Sequence, residues 1–280
     1  DSGKVFQTKV YEIPEGTRVA RGRGLLNFLE ISPQDKILCL ISAKTSSLIS
    51  SESNSFIAAS PAKANSKAPD AGYLVMATKN GIIKKTKIEE FANVRRGGLI
   101  CITLKKGDSL QSVARSWGED EVIMTTKNGQ AIRFKEKSLR EMGRQAAGLR
   151  GLRLKKGDAV VGMDIIQTQN ARRKTQSAKD EKQYLLIITE NGYGKRSEIL
   201  DYRLQGRGGS GIRTAKVTPK TGEIIAAKIL TGEEDLVVIS QKGQVIRTPI
   251  DSVPKLSRAT QGVKMMKLDE GDKVASVACI

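Results

Sequence analysis

A two-residue turn closed by glycine recurs five times along this 280-residue chain, and any fold has to accommodate that recurrence. DSGKVFQT, TKNGIIKKT, TKNGQAIRF, TENGYGKRS and SQKGQVIRT each set the turn between β-forming runs. Asn-Gly or a close substitute in that setting is the strongest short-range hairpin signal. The turn glycines are Gly3, Gly81, Gly129, Gly192 and Gly243. Fifteen residues after each stands an arginine: Arg18, Arg96, Arg144, Arg207 and Arg258. Nineteen after stands a glycine in four units, Gly22, Gly148, Gly211 and Gly262; the second unit is shorter there and uses Gly97 and Gly98. Nine residues further on a second turn follows at Gly107, Gly157 and Gly271, stretched to eleven at Gly222. A register kept over so many positions is an internal repeat.

The hairpin glycines lie 78, 48, 63 and 51 residues apart, and both long intervals hold polar inserts. These are 45–69, rich in Ser, Ala and Lys, and 168–183; neither carries enough apolar surface to order itself. Without them every unit approaches the ~50 residues of a four-stranded propeller blade. The units read 1–44, 70–118, 119–167, 184–234 and 235–280. YLVMAT, EVIMTT, YLLIIT and DLVVIS are short, nearly continuous apolar runs, as expected of strands buried on both faces. The strands after the turn, such as QAIRF and QVIRT, alternate, which predicts one wet side. KIEEFANV and EKSLREM give a helical turn or two at most. The predicted fold is all-β, a propeller-like disc of blades forming a single domain.

Charge narrows the function. Lys and Arg total 48 against 30 for Asp and Glu, a net +18 with pI near 9.9, which points to a polyanionic partner. Aromatics are 4% of residues, so the core has to be aliphatic. With no histidine, imidazole acid–base and metal chemistry is excluded. RGGSG lacks the strand–turn–helix context of a nucleophile elbow, and there is no phosphate-binding GxxxxGK[ST] loop, so no catalytic residue, metal or cofactor is expected. Three scattered cysteines give no disulfide framework and fit a reducing compartment. No apolar run nears the ~20 residues of a membrane span, and no signal peptide is expected. The opening DSGKVF reads as the middle of a hairpin, so the sequence is expected to be part of a longer chain.

Two basic features recur. Four residues past the turn glycine come Lys85, Arg133, Arg196 and Arg247, with Lys84 and Lys195 beside the first and third; on alternating strands these are expected to face outward. The R-x-x-x-G loop carries the repeated arginine and further cations: Arg21, Arg23, Arg95, Arg150, Arg213 and Lys264. If the blades are related by rotation, these loops share one rim and form a positive track that grips the phosphates of duplex DNA. The competing role for each repeated arginine is a staple between blades through carbonyls or a carboxylate. One cation per unit would do that job, and several loops hold two or three.

KVYEIPEGTRVARGRGLLNFLEI, REMGRQAAGLRGLRL, SRATQGVKMMKL and TENGYGKRSEILDYR resemble the C-terminal domain family of DNA gyrase A subunits. The resemblance covers nearly all of the chain outside the inserts. It implies a β-pinwheel whose blades exchange strands and whose basic rim wraps DNA in a right-handed sense for negative supercoiling. It further implies a non-catalytic part of an ATP-dependent type IIA topoisomerase. Its partners would be the gyrase B subunit together with the rest of the A subunit, in an A2B2 assembly in the cytoplasm with the nucleoid. The family carries a Q-R-R-G-G-[KR]-G box. QGRGGSG matches it at Gln205, Arg207, Gly208, Gly209 and Gly211 and departs at Gly206 and Ser210. By that resemblance it is a box-like loop in a later blade, a secondary DNA contact, with the true box upstream of Asp1.

Two other readings stay open on sequence. The equivalent domain of topoisomerase IV has a similar pinwheel, with fewer or degenerate blades and no strong box. A protein-binding propeller scaffold would recognise partners through aromatic hot spots, for which Trp117 in SWGED is the one tryptophan.

Overall fold

The computed structural model describes residues 1–17, 24, 26, 29–41, 72–95, 97–168, 182–232 and 234–280. The insert expected at 45–69 lies outside these residues, as do 169–181 of the second. Each of four complete hairpins pairs an apolar strand with the one after its glycine turn. They are β2 (Tyr73–Thr78) with β3 (Ile82–Lys87), β6 (Glu121–Thr126) with β7 (Gln130–Lys135), β10 (Tyr184–Thr189) with β11 (Tyr193–Glu198), and β14 (Asp235–Ser240) with β15 (Val245–Pro249). A third strand, reached through the second turn, lines the other edge of the first. These are β5 (Leu110–Ser116) on β2, β9 (Val160–Ile166) on β6, β13 (Ile224–Leu230) on β10 and β17 (Val274–Cys279) on β14.

The fourth strand of each sheet comes from the next unit. β8 (Leu149–Arg150) pairs with β3, β12 (Ile212–Arg213) with β7, and β16 (Val263–Lys264) with β11. In the first unit β4 (Leu99–Ile100) pairs with β1 (Lys4–Val5). Each of these four blades therefore takes a strand from the unit that follows it. β9 packs against β5 and β13, and β13 against β17, so the third strands lie inside and the exchanged strands at the outer edge.

The two recurring turns are bonded to each other. In the second unit the carboxylate of Asp108, from the KKGD turn, accepts N–H of Asn80 (2.9 Å) and the hydroxyl of Thr78 (2.7 Å) at the hairpin turn. Asp158 and Asp272 likewise accept N–H of Asn128 and Lys242, both at 3.1 Å. The spacing of Gly-Asp from the hairpin is thus set by a contact between turns.

The core lies between blades. Val75, Ala77 and Ile83 pack with Val122, Met124 and Phe134 of the following unit; Ile123 and Ile166 pack with Leu185 and Ile187; Leu186 and Ile188 pack with Leu236 and Val238. These side chains are almost all aliphatic, and each contributes roughly 1.5–3 kcal/mol by leaving water.

The apolar strands lie where the sequence places them, and the helical stretches are short 3₁₀ turns at Ile88–Phe91 and Glu136–Ser138. The wet face expected of the strands after the turn is corrected. β3 and β11 are buried along most of their length. The cause is the exchanged segment, because β15, with no such neighbour among the described residues, keeps the plain exposed–intermediate alternation.

Candidate nucleic-acid interface

The segment before each R-x-x-x-G loop meets the outer strand of the preceding blade in a parallel bridge: Glu141 on Lys85, Leu204 on Arg133, Lys255 on Arg196. After the loop the chain returns antiparallel as β8, β12 or β16. Each loop is thus pinned on both sides to the outer edge of the blade before it. The repeated glycine is what allows that approach. Gly211 has φ +74°, and a Cβ there would lie 2.6 Å from Ala131 O. At Gly262 (φ +86°) a Cβ would lie 2.8 Å from Gly194 O. Only glycine fits such a combination.

Successive loops are bonded into a row. Thr103 N–H donates to Ala146 O (3.4 Å), Arg153 N–H to Gly209 O (2.8 Å), and Lys216 N–H to Thr260 O (3.1 Å). The repeated arginines add to this: Arg207 Nη1 donates to Arg150 O at 2.6 Å and Arg258 Nη1 to Arg213 O at 2.9 Å. Arg144 Nε stands 3.7 Å from Glu90 Oε2. The staple and the rim cation are therefore the same residue. One or two N–H groups tie the loop to its neighbour, and a guanidinium has further donors.

Arg95, Arg150, Arg213 and Lys264 are exposed, and Arg144, Arg207 and Arg258 half-exposed. A second set, missed from sequence, lies five residues beyond the glycine: Arg153, Lys216 and Lys267, all exposed. Their common register was visible in the repeat, between the loop and the second turn. Arg18, Arg21, Arg23 and Arg96 lie outside the described residues.

The other basic feature is corrected. Lys84, Lys85, Lys195 and Arg196 are buried, at 0%, 6%, 1% and 6% exposure, and bond within the domain. Lys85 Nζ lies 3.5 Å from Glu136 and over the Tyr73 ring. Arg196 holds Asp251 at 2.8 Å and the carbonyls of Val253 and Asp251. Half-buried Arg133 holds Glu121 at 2.6 Å and the carbonyls of Ile199 and Tyr202. Arg247 is exposed and pairs with Asp235. The exchanged segment covers β3, β7 and β11, so their cations join blades instead of facing out. Lys84 and Lys195 are desolvated by burial, which lowers each to about 8.

In the box-like loop, Gln205 N–H donates to Arg133 O and Gly208 N–H to Gly151 O, both 2.8 Å. Gly208 and Gly211 have positive φ. Gly206 and Gly209 do not, and a Cβ would meet open space at Gly206 and ordinary contact distances at Gly209. The fold itself has no need of glycine at these two positions. Among the described residues no group of His, Cys, Asp or Glu could hold a metal ion, and no helix is long and apolar enough to cross a membrane.

The geometry can be set beside known proteins. A family model described as "DNA gyrase C-terminal domain, beta-propeller" matches residues 1–30, 72–116, 120–167, 183–231 and 234–280. The DNA gyrase A subunit of Staphylococcus epidermidis is 36% identical over 278 residues, and that of Staphylococcus aureus 34%. Each alignment covers 99% of this chain and 28% of the relative. A solved DNA gyrase A C-terminal domain superposes with TM-score 0.74 at 23% identity, covering 99% of this chain and 78% of that one. The C-terminal domain of a DNA topoisomerase IV gives 0.78 at 21%, covering 99% and 76%. The shared fold does not separate those two enzymes, whereas the family model spans all five repeats: the chain belongs to the DNA gyrase C-terminal domain family of β-propellers.

Proposed function

We propose that the outer rim binds duplex DNA through its phosphates, without reading bases, and bends it along the row of loops. The observation that carries this is the bonding of successive R-x-x-x-G loops into one edge, with exposed cations at matching positions in the third, fourth and fifth units. Arginine forks suit phosphate oxygens, and phosphate contacts hold DNA without sequence preference. Distributed contacts offset the elastic cost of a bend, of order 1–6 kcal/mol for a 20–30 base-pair site. Gly206 leaves the backbone of the fourth loop open to close approach by the strand.

The chain spans 28% of the length of the gyrase A relatives it matches. Its place in negative supercoiling, beside a gyrase B subunit with the rest of an A subunit in the cytoplasm, belongs to this proposal. The gyrase reading is preferred to topoisomerase IV because the relatives at 34–36% identity are gyrase A subunits.

The test is the salt dependence of DNA affinity. Each phosphate contact contributes about 0.9 to the slope of log K against log salt, so a rim gripping with several loops gives a steep slope. A slope near one or two would leave a local patch and end the track reading.

A further inference from the structure

The two buried lysines share one task. Lys84 Nζ donates to Cys101 O at 2.6 Å and to Arg144 O at 2.5 Å. Lys195 Nζ donates to Ser257 O at 2.9 Å, Arg258 O at 2.6 Å and Thr260 Oγ1 at 3.3 Å. In each case one acceptor is the main-chain carbonyl of the next unit's repeated arginine. Both lysines stand three residues past a hairpin glycine, Gly81 or Gly192; the same position in the third and fifth units is Ile132 and Ile246. A buried ammonium is costly unless its donors are met; those of Lys195 are met by the loop that carries the rim arginine, and those of Lys84 by that loop and by Cys101 O of its own unit.

We propose that Lys84 and Lys195 are positioning residues for the rim: each ammonium draws inward the carbonyls beneath Arg144 and Arg258 and so holds those guanidiniums at the outer edge. This rests on the reading of the rim as a DNA-binding surface. Pinning the carbonyl of an arginine fixes the direction in which its Cα–Cβ bond leaves the backbone. Removing the ammonium leaves converging carbonyl oxygens with no donor, and the loop relaxes.

The proposal has a pH signature. The charged groups facing Lys84 are Glu90 and the Cys101 thiol, which favour its proton, and the Arg144 guanidinium, which opposes it. Asp201 favours and Arg258 opposes the proton of Lys195. Desolvation outweighs these and brings both lysines to about 8. An unfolded lysine keeps its proton to about 10.4. Between these values the unfolded chain binds more protons, so this linkage raises global stability as pH rises. The grip on the loops weakens over the same interval. Loop order and stability therefore move in opposite directions, which a purely structural role would not produce. The chain has no histidine to titrate just below this window. Burial pushes the Cys101 and Cys39 thiols up, and the Asp1 amino group, lowered by burial, lies in the first unit.

The experiment compares the 280-residue chain with its Lys84→Met/Lys195→Met variant. Plasmid affinity is measured against salt at pH 7 and pH 9, with amide exchange of 142–148 and 255–262 in the free protein, corrected for intrinsic rates. In the variant, two loops lose their hold, so the salt slope falls by about 2 at pH 7, exchange in both segments quickens, and the pH dependence of affinity disappears. The unaltered chain shows that loss on going from pH 7 to pH 9. Equal slopes and equal loop exchange in the two proteins overturn the proposal. Should the double variant fail to fold, Lys195→Met alone decides: exchange of 255–262 unchanged relative to 142–148 overturns the proposal. An unaltered chain that holds no plasmid at any salt ends the DNA reading, and loop exchange then still decides whether the lysines hold the loops.

Discussion

Two kinds of loop sit on the same rim. Those of the third and fifth units rest on a buried ammonium, Lys84 or Lys195, which bonds their carbonyls from below. The loop of the fourth, QGRGGSG, rests on Ile132; it shares the sideways bond of the other two, Gly209 O to Arg153 N–H, and adds a second, Gly208 N–H to Gly151 O. The first arrangement fixes the loop from inside and permits bulkier residues, as in REMGRQAAG and PKLSRATQG. The second replaces the central donor with glycines that let two stretches of main chain meet. One rim position is thus met by two solutions, and the residue three past the hairpin glycine distinguishes them.

The sharpest way to break this comparison is to give the fourth loop a lysine. Ile132→Lys buries an ammonium under a loop that is already closed by its additional bond from Gly208 N–H to Gly151 O. The expected loss is about 3–5 kcal/mol, as for an uncompensated buried charge, measured by urea unfolding. A smaller loss would mean the loop can rearrange to bind a lysine, and the two designs would be interchangeable. Next is Gly211→Ala, which forces an L side chain into φ +74° against Ala131 O. About 1–3 kcal/mol should be lost, and Gly262→Ala should match it, because both kinds of loop need this glycine. Smaller again is Arg207→Gln, which removes an N–H to Arg150 O and a rim cation. Stability should fall by about 0.5–1.5 kcal/mol and the salt slope by about 0.9. Least is Gly206→Ala, within about 0.5 kcal/mol in stability but weaker in DNA affinity; affinity unchanged by that methyl would show that no strand approaches there.

Much of this was legible in the sequence. The hairpin glycines Gly81, Gly129 and Gly192 and the later glycines Gly148, Gly211 and Gly262 mark close main-chain approaches that admit little else, and Arg207 and Arg258 mark bonds to the neighbouring loop's carbonyls. The direction of the cations on β3, β7 and β11 was not legible. Alternation reports which face of an isolated strand is polar, and the segment that covers these strands comes from the next unit, dozens of residues downstream. β15 keeps the pattern the sequence predicts, since no such segment lies on it among the described residues. A signal for Lys84 and Lys195 did exist. Their equivalents are Ile132 and Ile246, and a position that is apolar in alternate repeats points inward.

The central claim is that the loops act as one curved track, and plasmid topology tests it most directly. A nicked plasmid is religated with this chain bound, and its linking number is compared with that of plasmid religated alone. A positive shift that grows with protein and disappears at high salt is the predicted result, because a right-handed path along the rim, the sense the family resemblance implies, is trapped as positive linking number when the nick is sealed. DNA that stays bound while the linking number does not move would contradict the account.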